Sequence, residues 1–323
     1  MRILIADFAG EAWAQGGAVW ALRQYVLGFR RLGHEVVLAS NVVGDFDLVL
    51  NVSGVLSRES IALVPIRIYL DLDPAFNQFW HEEGIDRRFG GHTHYVTVGQ
   101  AIGQKECHVP THGLRWLTSL PPVVLADWPP GNRIETDALT TVANFRSYGS
   151  IERAGIHYGQ KVHSLRSVIH LPRRTGEHFV LAMHVHRDEG RDIAALNEND
   201  WDVIDPDAVA GTPDDYRRFV RGSRAEIGIA KSGYVASRCG WFSDRSACYL
   251  ASGRPVVAQE TGFSQFVPAG EGLLAFEDED GAVAAVKATR RDYSHHSRAA
   301  RQLAEEYFDS DRVLTRLLEA VTN

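Results

Sequence analysis

A chain of 323 residues, 45% hydrophobic and 23% charged, has the length and composition of a globular protein with two domains rather than one. Its net charge of −7 provides no basic footprint for bulk nucleic-acid binding and argues against a broad patch for anionic membranes. Three cysteines without metal-type spacing fit a reducing compartment, and no stretch reaches the roughly 20 apolar residues of a spanning helix, so the cytoplasm is the expected location.

The first apolar run, residues 2–8, leads through a loop into a helical stretch at 18–32, which Gly33 stops before a strand at 34–40. That sequence makes a βαβ unit. Gly16 and Gly17 stand where the loop meets the helix, and there they either let the chain turn tightly or line a site. Short apolar runs recur at 47–52, 67–72, 95–98 and 123–126. Strands alternating with helices imply a mostly parallel, doubly wound sheet whose ligands sit beyond the carboxyl ends of its strands. By that rule Asp71 and Asp73, at the end of the fourth run, are candidate general bases. The competing reading is an ordinary turn punctuated by Asp73 and Pro74.

Residues 121–135 contain four of the twelve prolines and read as the approach to a linker. A second series of strands then follows at 140–143, 179–184, 202–204, 226–230, 256–259 and 273–276, so two α/β sets face each other across a cleft. Between them, 147–172 is rich in Tyr, Gly, His, Lys and Arg, which either face an anion or form a solvated helix face. His184 and His186 point to opposite faces at a strand end and have no Cys or carboxylate at ligand spacing, so no metal centre is expected. His184 is still placed to line the cleft. Lys231 and Ser232 follow another strand, where the lysine amine suits a phosphate oxygen as a point charge.

Residues 237–276 read as loop, short helix, strand, glycine loop and strand. Ser243 is a good N-cap and Gly253 a good stop, which places the helix at 244–252. Such a helix start favours anions by roughly 0.3–1 kcal/mol per negative group, and Arg245 adds a full charge. The last helix, near 311–321, repeats apolar residues at Val313, Leu314, Leu317, Leu318 and Val321.

The run GRPVVAQETG at 253–262 resembles the donor-site segment of nucleotide-sugar-dependent glycosyltransferases of the GT-B fold. More broadly the chain is similar to a glycosyltransferase-like group with GWFSDRS and GRPVV signatures. The resemblance implies an α/β, GT-B architecture of two Rossmann-like doubly wound domains: an acceptor domain at 1–136, a nucleotide-sugar domain at 137–305, and a terminal helix at 306–323. That helix either crosses back to the first domain or stays on its own. The implied reaction moves a sugar from a nucleoside diphosphate sugar, of UDP or dTDP type, to an acceptor without a further cofactor or metal. By the same resemblance Ser243, Asp244 and Arg245 face phosphates or ribose, and Glu260, Thr261 and Gly262 face the sugar. Backbone near Ile204 and Asp205 reads the base, Gly16 and Gly17 floor the acceptor cleft, and Asp71 or Asp73 takes the acceptor proton, as an N-domain carboxylate or histidine does in inverting members.

One departure stands out. Many retaining members carry two glutamates eight positions apart, and those positions here are Gly240 and Cys248. A sugar-nucleotide epimerase, a phosphorylase, or a non-catalytic nucleotide-sugar or glycan-binding protein on the same architecture therefore stay as alternatives. The expected partners are the small-molecule donor and acceptor, with no nucleic acid and no integral membrane segment. The oligomeric state is not specified by the sequence.

Overall fold

The computed structural model describes residues 1–7 and 16–322. Its first sheet has six strands, β1 (Arg2–Ala6), β2 (Glu35–Ala39), β3 (Leu48–Val52), β4 (Ile66–Asp71), β5 (His94–Thr97) and β6 (Trp116–Thr118), in the order β2-β1-β3-β4-β5-β6. Every pairing is parallel. Helices cover both faces of such a sheet, which is why β3 is buried along its whole length and is apolar at every position but Asn51.

The second sheet starts with β7 (Thr136–Asn144). After a separate antiparallel hairpin of β8 (Ile151–Arg153) and β9 (Ile156–Tyr158), it continues with β10 (Phe179–His184), β11 (Trp201–Ile204), β12 (Ser223–Gly228), β13 (Val256–Gln259) and β14 (Leu273–Phe276). Its order is β11-β10-β7-β12-β13-β14, again all parallel. Two doubly wound sheets of this kind are the expected α/β architecture.

Three local expectations change. The first strand stops at Ala6, and Phe8 lies outside the described residues; the following helix is Gly16–Arg31. The apolar run at 123–126 is not a strand, because the sixth strand comes earlier, at 116–118. Val123 and Val124 are apolar because they are buried, with Val123 exchanging backbone hydrogen bonds with Phe308 (2.7 Å) and Ser310 (2.9 Å). The segment 147–172 forms the β8–β9 hairpin and two short helices, Lys161–Ser167 and Leu171–Thr175, rather than one solvated helix face.

Two contacts bring the strand ends of the sheets together. Helix Gly16–Arg31 packs on helix Pro213–Gly222, where the Trp20 indole donates to the Pro213 carbonyl at 2.7 Å. Farther along, Gly99 and Trp241 form an antiparallel bridge, and Ala101 N–H donates to the Cys239 carbonyl at 3.0 Å. The terminal helix Ser310–Thr322 places Leu314, Leu317 and Val321 in one core with Ile3, Ile5 and Phe29, and Arg31 grips Asp311 through two bonds of 3.0 and 2.9 Å.

Candidate functional site

A cleft of about 300 Å³ lies where the two sheets face each other. One wall is the start of helix Gly16–Arg31, with Gly16, Gly17, Ala18 and Ala21. The other is made by Val142 to Asn144 at the end of β7, by His184 at the end of β10, by Asp207, and by Asp244 and Arg245 at the start of helix Asp244–Ala251. Two helix N-termini therefore meet at one cavity, each offering unpaired N–H groups. Gly16 is required by this approach: a Cβ there would sit 2.4 Å from the Thr212 carbonyl oxygen and 2.5 Å from that of Ala210.

Beside this cleft, Asp73 follows β4 and Lys231 follows β12, and their side chains meet. Lys231 Nζ lies 3.1 and 3.2 Å from the two carboxylate oxygens of Asp73. The Tyr148 hydroxyl donates to Asp73 Oδ2 at 2.5 Å, and the Tyr234 hydroxyl donates to Oδ1. Lys231 also donates to the Tyr148 hydroxyl and lies 4.2 Å from the centre of that ring. Burial lowers the Lys231 pKa, and Asp73 partly restores it. Burial, followed by the Asp73 charge, pushes both tyrosines above their ordinary value, so both stay hydrogen-bond donors.

Asp71, two residues earlier, is a different kind of group. It is fully buried and accepts from Asn77 Nδ2 (2.6 Å), Gln78 Nε2 (2.8 Å), Thr97 Oγ1 (2.9 Å) and the Asp73 N–H (3.0 Å). Burial raises its pKa while these donors lower it. The carboxylate holds the end of β4 together.

Arg245 also differs from expectation. Its Nε donates to Glu226 Oε1 at 2.6 Å and its guanidinium to the Val142 carbonyl at 2.9 Å. Both side chains are buried, so this cation already has a counter-charge. Ser243 occupies the N-cap position without a side-chain capping bond, and burial raises the Asp244 pKa. Ser232 Oγ accepts from the Gly159 N–H at 3.1 Å, tying the Lys231 loop to the segment after β9.

The glycine loop after β13 folds on itself. Glu260 Oε1 accepts from the Gly262 N–H at 2.6 Å, and Thr261 Oγ1 donates to the Trp241 carbonyl at 2.5 Å. Gly262 has φ +94°, and a Cβ there would meet the Arg238 carbonyl oxygen at 2.8 Å. These bonds lock the loop against 238–241. They also account for the two positions lacking glutamate. Gly240 has φ +76° with the Ala101 nitrogen 2.7 Å from its would-be Cβ, and buried Cys248 faces Gln24 of the first helix at 3.7 Å.

Sequence reasoning missed three residues here. Tyr148 and Tyr234 carry no local signal, since a tyrosine in a loop or short helix has many uses. Lys161 is the third: buried, with Nζ donating to the Ile229 carbonyl just after β12 at 2.7 Å. Burial, then the Arg245 and Lys231 charges, hold its pKa well below the usual lysine value.

The histidine reading also changes. His184 Nε2 lies 3.3 Å from Asp207 Oδ2, and one ligand atom each from His184, Asp205 and Asp207 fall within 4.8 Å of one another. Because β10 and β11 are parallel neighbours, both strand ends arrive at the same place, and the carboxylates absent from the local sequence come from the next strand.

No protein-family model and no curated protein matches this sequence. Solved structures do. AviGT4, a glycosyltransferase involved in avilamycin A biosynthesis, is 15% identical, with a TM-score of 0.65 over 99% of this chain and 96% of that one. An alpha-glucosyltransferase in complex with UDP-glucose and DNA containing an abasic site is 12% identical, with a TM-score of 0.66 over the whole of both chains. HepE from Anabaena, in complex with UDP and glucose, is 12% identical, with a TM-score of 0.63 over 100% and 99%. The chain has the fold of these glycosyltransferases along its full length. Among the described residues, no helix is long and apolar enough to cross a membrane.

Proposed function

We propose that the protein is a glycosyltransferase that binds a nucleoside diphosphate sugar, of UDP or dTDP type, in the cleft and transfers the sugar to an acceptor. The observation that carries this reading is the meeting of two helix starts, those of Gly16–Arg31 and Asp244–Ala251, at one 300 Å³ cavity beyond the strand ends. Similar structures of the same fold hold UDP or UDP-glucose, which supports it. In this reading Asp244 accepts from ribose hydroxyls and the end of β11 at Asp205 contacts the base. Lys231 and the helix N–H groups offset the charge that grows on the leaving diphosphate, and Asp73 takes the acceptor proton. Lys231 and Asp73 must then part during the cycle, because each faces a different substrate. One neighbour contains DNA as well as UDP-glucose, so nucleic acid belongs in the acceptor screen despite the net charge.

A thermal-shift panel of nucleoside diphosphates and their sugars tests the donor site. A ligand at about 100 times its Kd stabilises the folded state by roughly 2.7 kcal/mol, which a melting curve resolves. No shift with any nucleotide would remove the proposal. The second reading, a binding protein without chemistry, is favoured by Gly240 in place of a glutamate and by an Asp73 engaged by three donors. Nucleotide binding without donor hydrolysis or transfer across the acceptor screen would select it.

A further inference from the structure

We propose that His184, Asp205 and Asp207 form a divalent-cation site at the rim of the cleft, and that the cation binds together with the diphosphate of the donor. The second half of this statement rests on the nucleotide reading above; the first does not. The donor set has one imidazole nitrogen and two carboxylate oxygens, which suits a cation of the Mn²⁺ type. Metal–ligand bonds of about 2.0–2.2 Å place neighbouring ligands about 3 Å apart. The 3.3 Å separation of His184 Nε2 and Asp207 Oδ2 is close to that, and the three ligand atoms already lie within 4.8 Å. All three side chains are exposed, so small rotations can close the remaining distance. Three protein ligands leave positions open for phosphate oxygens and water.

The charges around the cleft supply the independent observation. Among the described residues its cavity is lined by Asp207, Asp244 and the guanidinium of Arg245, and a carboxylate oxygen of Asp205 lies within 4.8 Å of the Asp207 and His184 ligand atoms. Arg245 is already paired with buried Glu226. Lys231 is paired with Asp73, and Lys161 sits on a carbonyl with its charge disfavoured by burial. A diphosphate entering this cavity meets the carboxylates of Asp244 and of Asp207, the latter paired with the His184 ring, and a bound divalent ion would reverse the sign of the field there. His184 and Asp207 line the same cavity, so the ion would stand against the ligand it must neutralise.

A direct contact of the His184 ring with Asp207 produces the same short distance without any metal, and the experiment separates the two. Mn²⁺ is titrated into the full chain while the free-ion electron paramagnetic resonance signal is followed, with and without UDP. The parent is compared with His184→Ala, Asp205→Asn and Asp207→Asn, each checked for an unchanged melting temperature in EDTA. The expected result is one Mn²⁺ per chain, at least tenfold weaker binding in each variant, and at least tenfold tighter binding when UDP is present. By linkage, Mn²⁺ must tighten UDP by the same factor. Absence of Mn²⁺ binding at millimolar concentration, or binding unchanged in the variants, overturns the site. If calorimetry shows UDP bound but Mn²⁺ affinity unaltered by it, the coupling is overturned. If UDP does not bind with or without Mn²⁺, the donor reading fails, and the variant titrations alone still decide the cation site.

Discussion

Lys231 and Asp73 stand 158 residues apart in the chain and form an ion pair of 3.1 Å between the strand ends of the two sheets. In the function proposed above, one residue serves the donor's phosphates and the other the acceptor's proton, and in this state each occupies the other. Two tyrosine hydroxyls complete the arrangement, so opening it exposes a lysine, a carboxylate and two donors at once. In the function proposed above, the pair would link donor binding to the release of the acceptor base.

Asp73→Asn is expected to lower turnover by 10² to 10⁴, the usual range for loss of a general base. Its cost in stability is expected to be about 1–2 kcal/mol, less than the 3–5 kcal/mol of a fully buried pair, because both side chains keep some exposure. Steady-state kinetics and urea unfolding on the same preparation check both numbers. Unchanged turnover would take Asp73 out of the chemistry.

Asp71→Ala should give the opposite profile. Removing this carboxylate leaves three buried donors and one partly buried donor without an acceptor, at roughly 1–3 kcal/mol for each buried one before relaxation. The expected loss is at least about 3 kcal/mol in urea unfolding. A stable but inactive Asp71→Ala would restore it as a candidate base.

Arg245→Ala is expected to destabilise by about 3–5 kcal/mol, since it strands Glu226 in the core beside β7. The pair's worth is read from the double variant Glu226→Gln with Arg245→Met. If the structural role dominates, the double variant recovers much of the stability lost by Arg245→Ala. Equal stability of parent and Arg245→Ala would return the guanidinium to a purely ligand-facing role.

Gly16→Ala tests the approach of the two halves. Its methyl group would press on two carbonyl oxygens of the 210–212 turn, so the helix start must move away from the second sheet. Overpacking of this kind costs about 1–3 kcal/mol. Nucleotide affinity should fall with it, because the displaced helix start is one wall of the cleft.

Much of the fold was legible because parallel strands buried on both faces leave plain apolar runs. The strands near 179–184, 256–259 and 273–276 lie where the runs place them, and the helix after Ser243 begins at Asp244. The run at 123–126 misled because burial against Phe308 and Ser310 produces the same apolar pattern as a strand. Candidate residues at strand ends could be named from the sequence, but their pairings could not. Lys231 and Asp73 each followed from the strand-end rule, whereas their contact depends on how the two sheets pack, and the Glu226 partner of Arg245 and the Asp207 partner of His184 depend on strand order, neither of which local sequence encodes.

Lys161 provides the pH test. Its folded-state pKa lies well below the ordinary lysine value, with burial the main cause and the Arg245 and Lys231 charges adding to it. The unfolded lysine titrates near about 10.4, so between the folded value and that pH the unfolded chain holds the extra proton. Stability from this residue therefore rises with pH across the window, and the penalty is fully developed on the acid side of the folded pKa. Lys161→Met, of similar length, removes the penalty but leaves the Ile229 carbonyl without its donor. In urea unfolding the variant should gain on the parent at neutral pH, and the difference should shrink steadily towards pH 10. Other titrating groups are common to both proteins and cancel in that difference. Parallel stability curves would mean that Lys161 keeps an ordinary pKa in the fold. If the buried amine serves the donor, UDP binding should also draw a proton onto it, which calorimetry in buffers of different ionisation enthalpy detects in the parent and not in the variant.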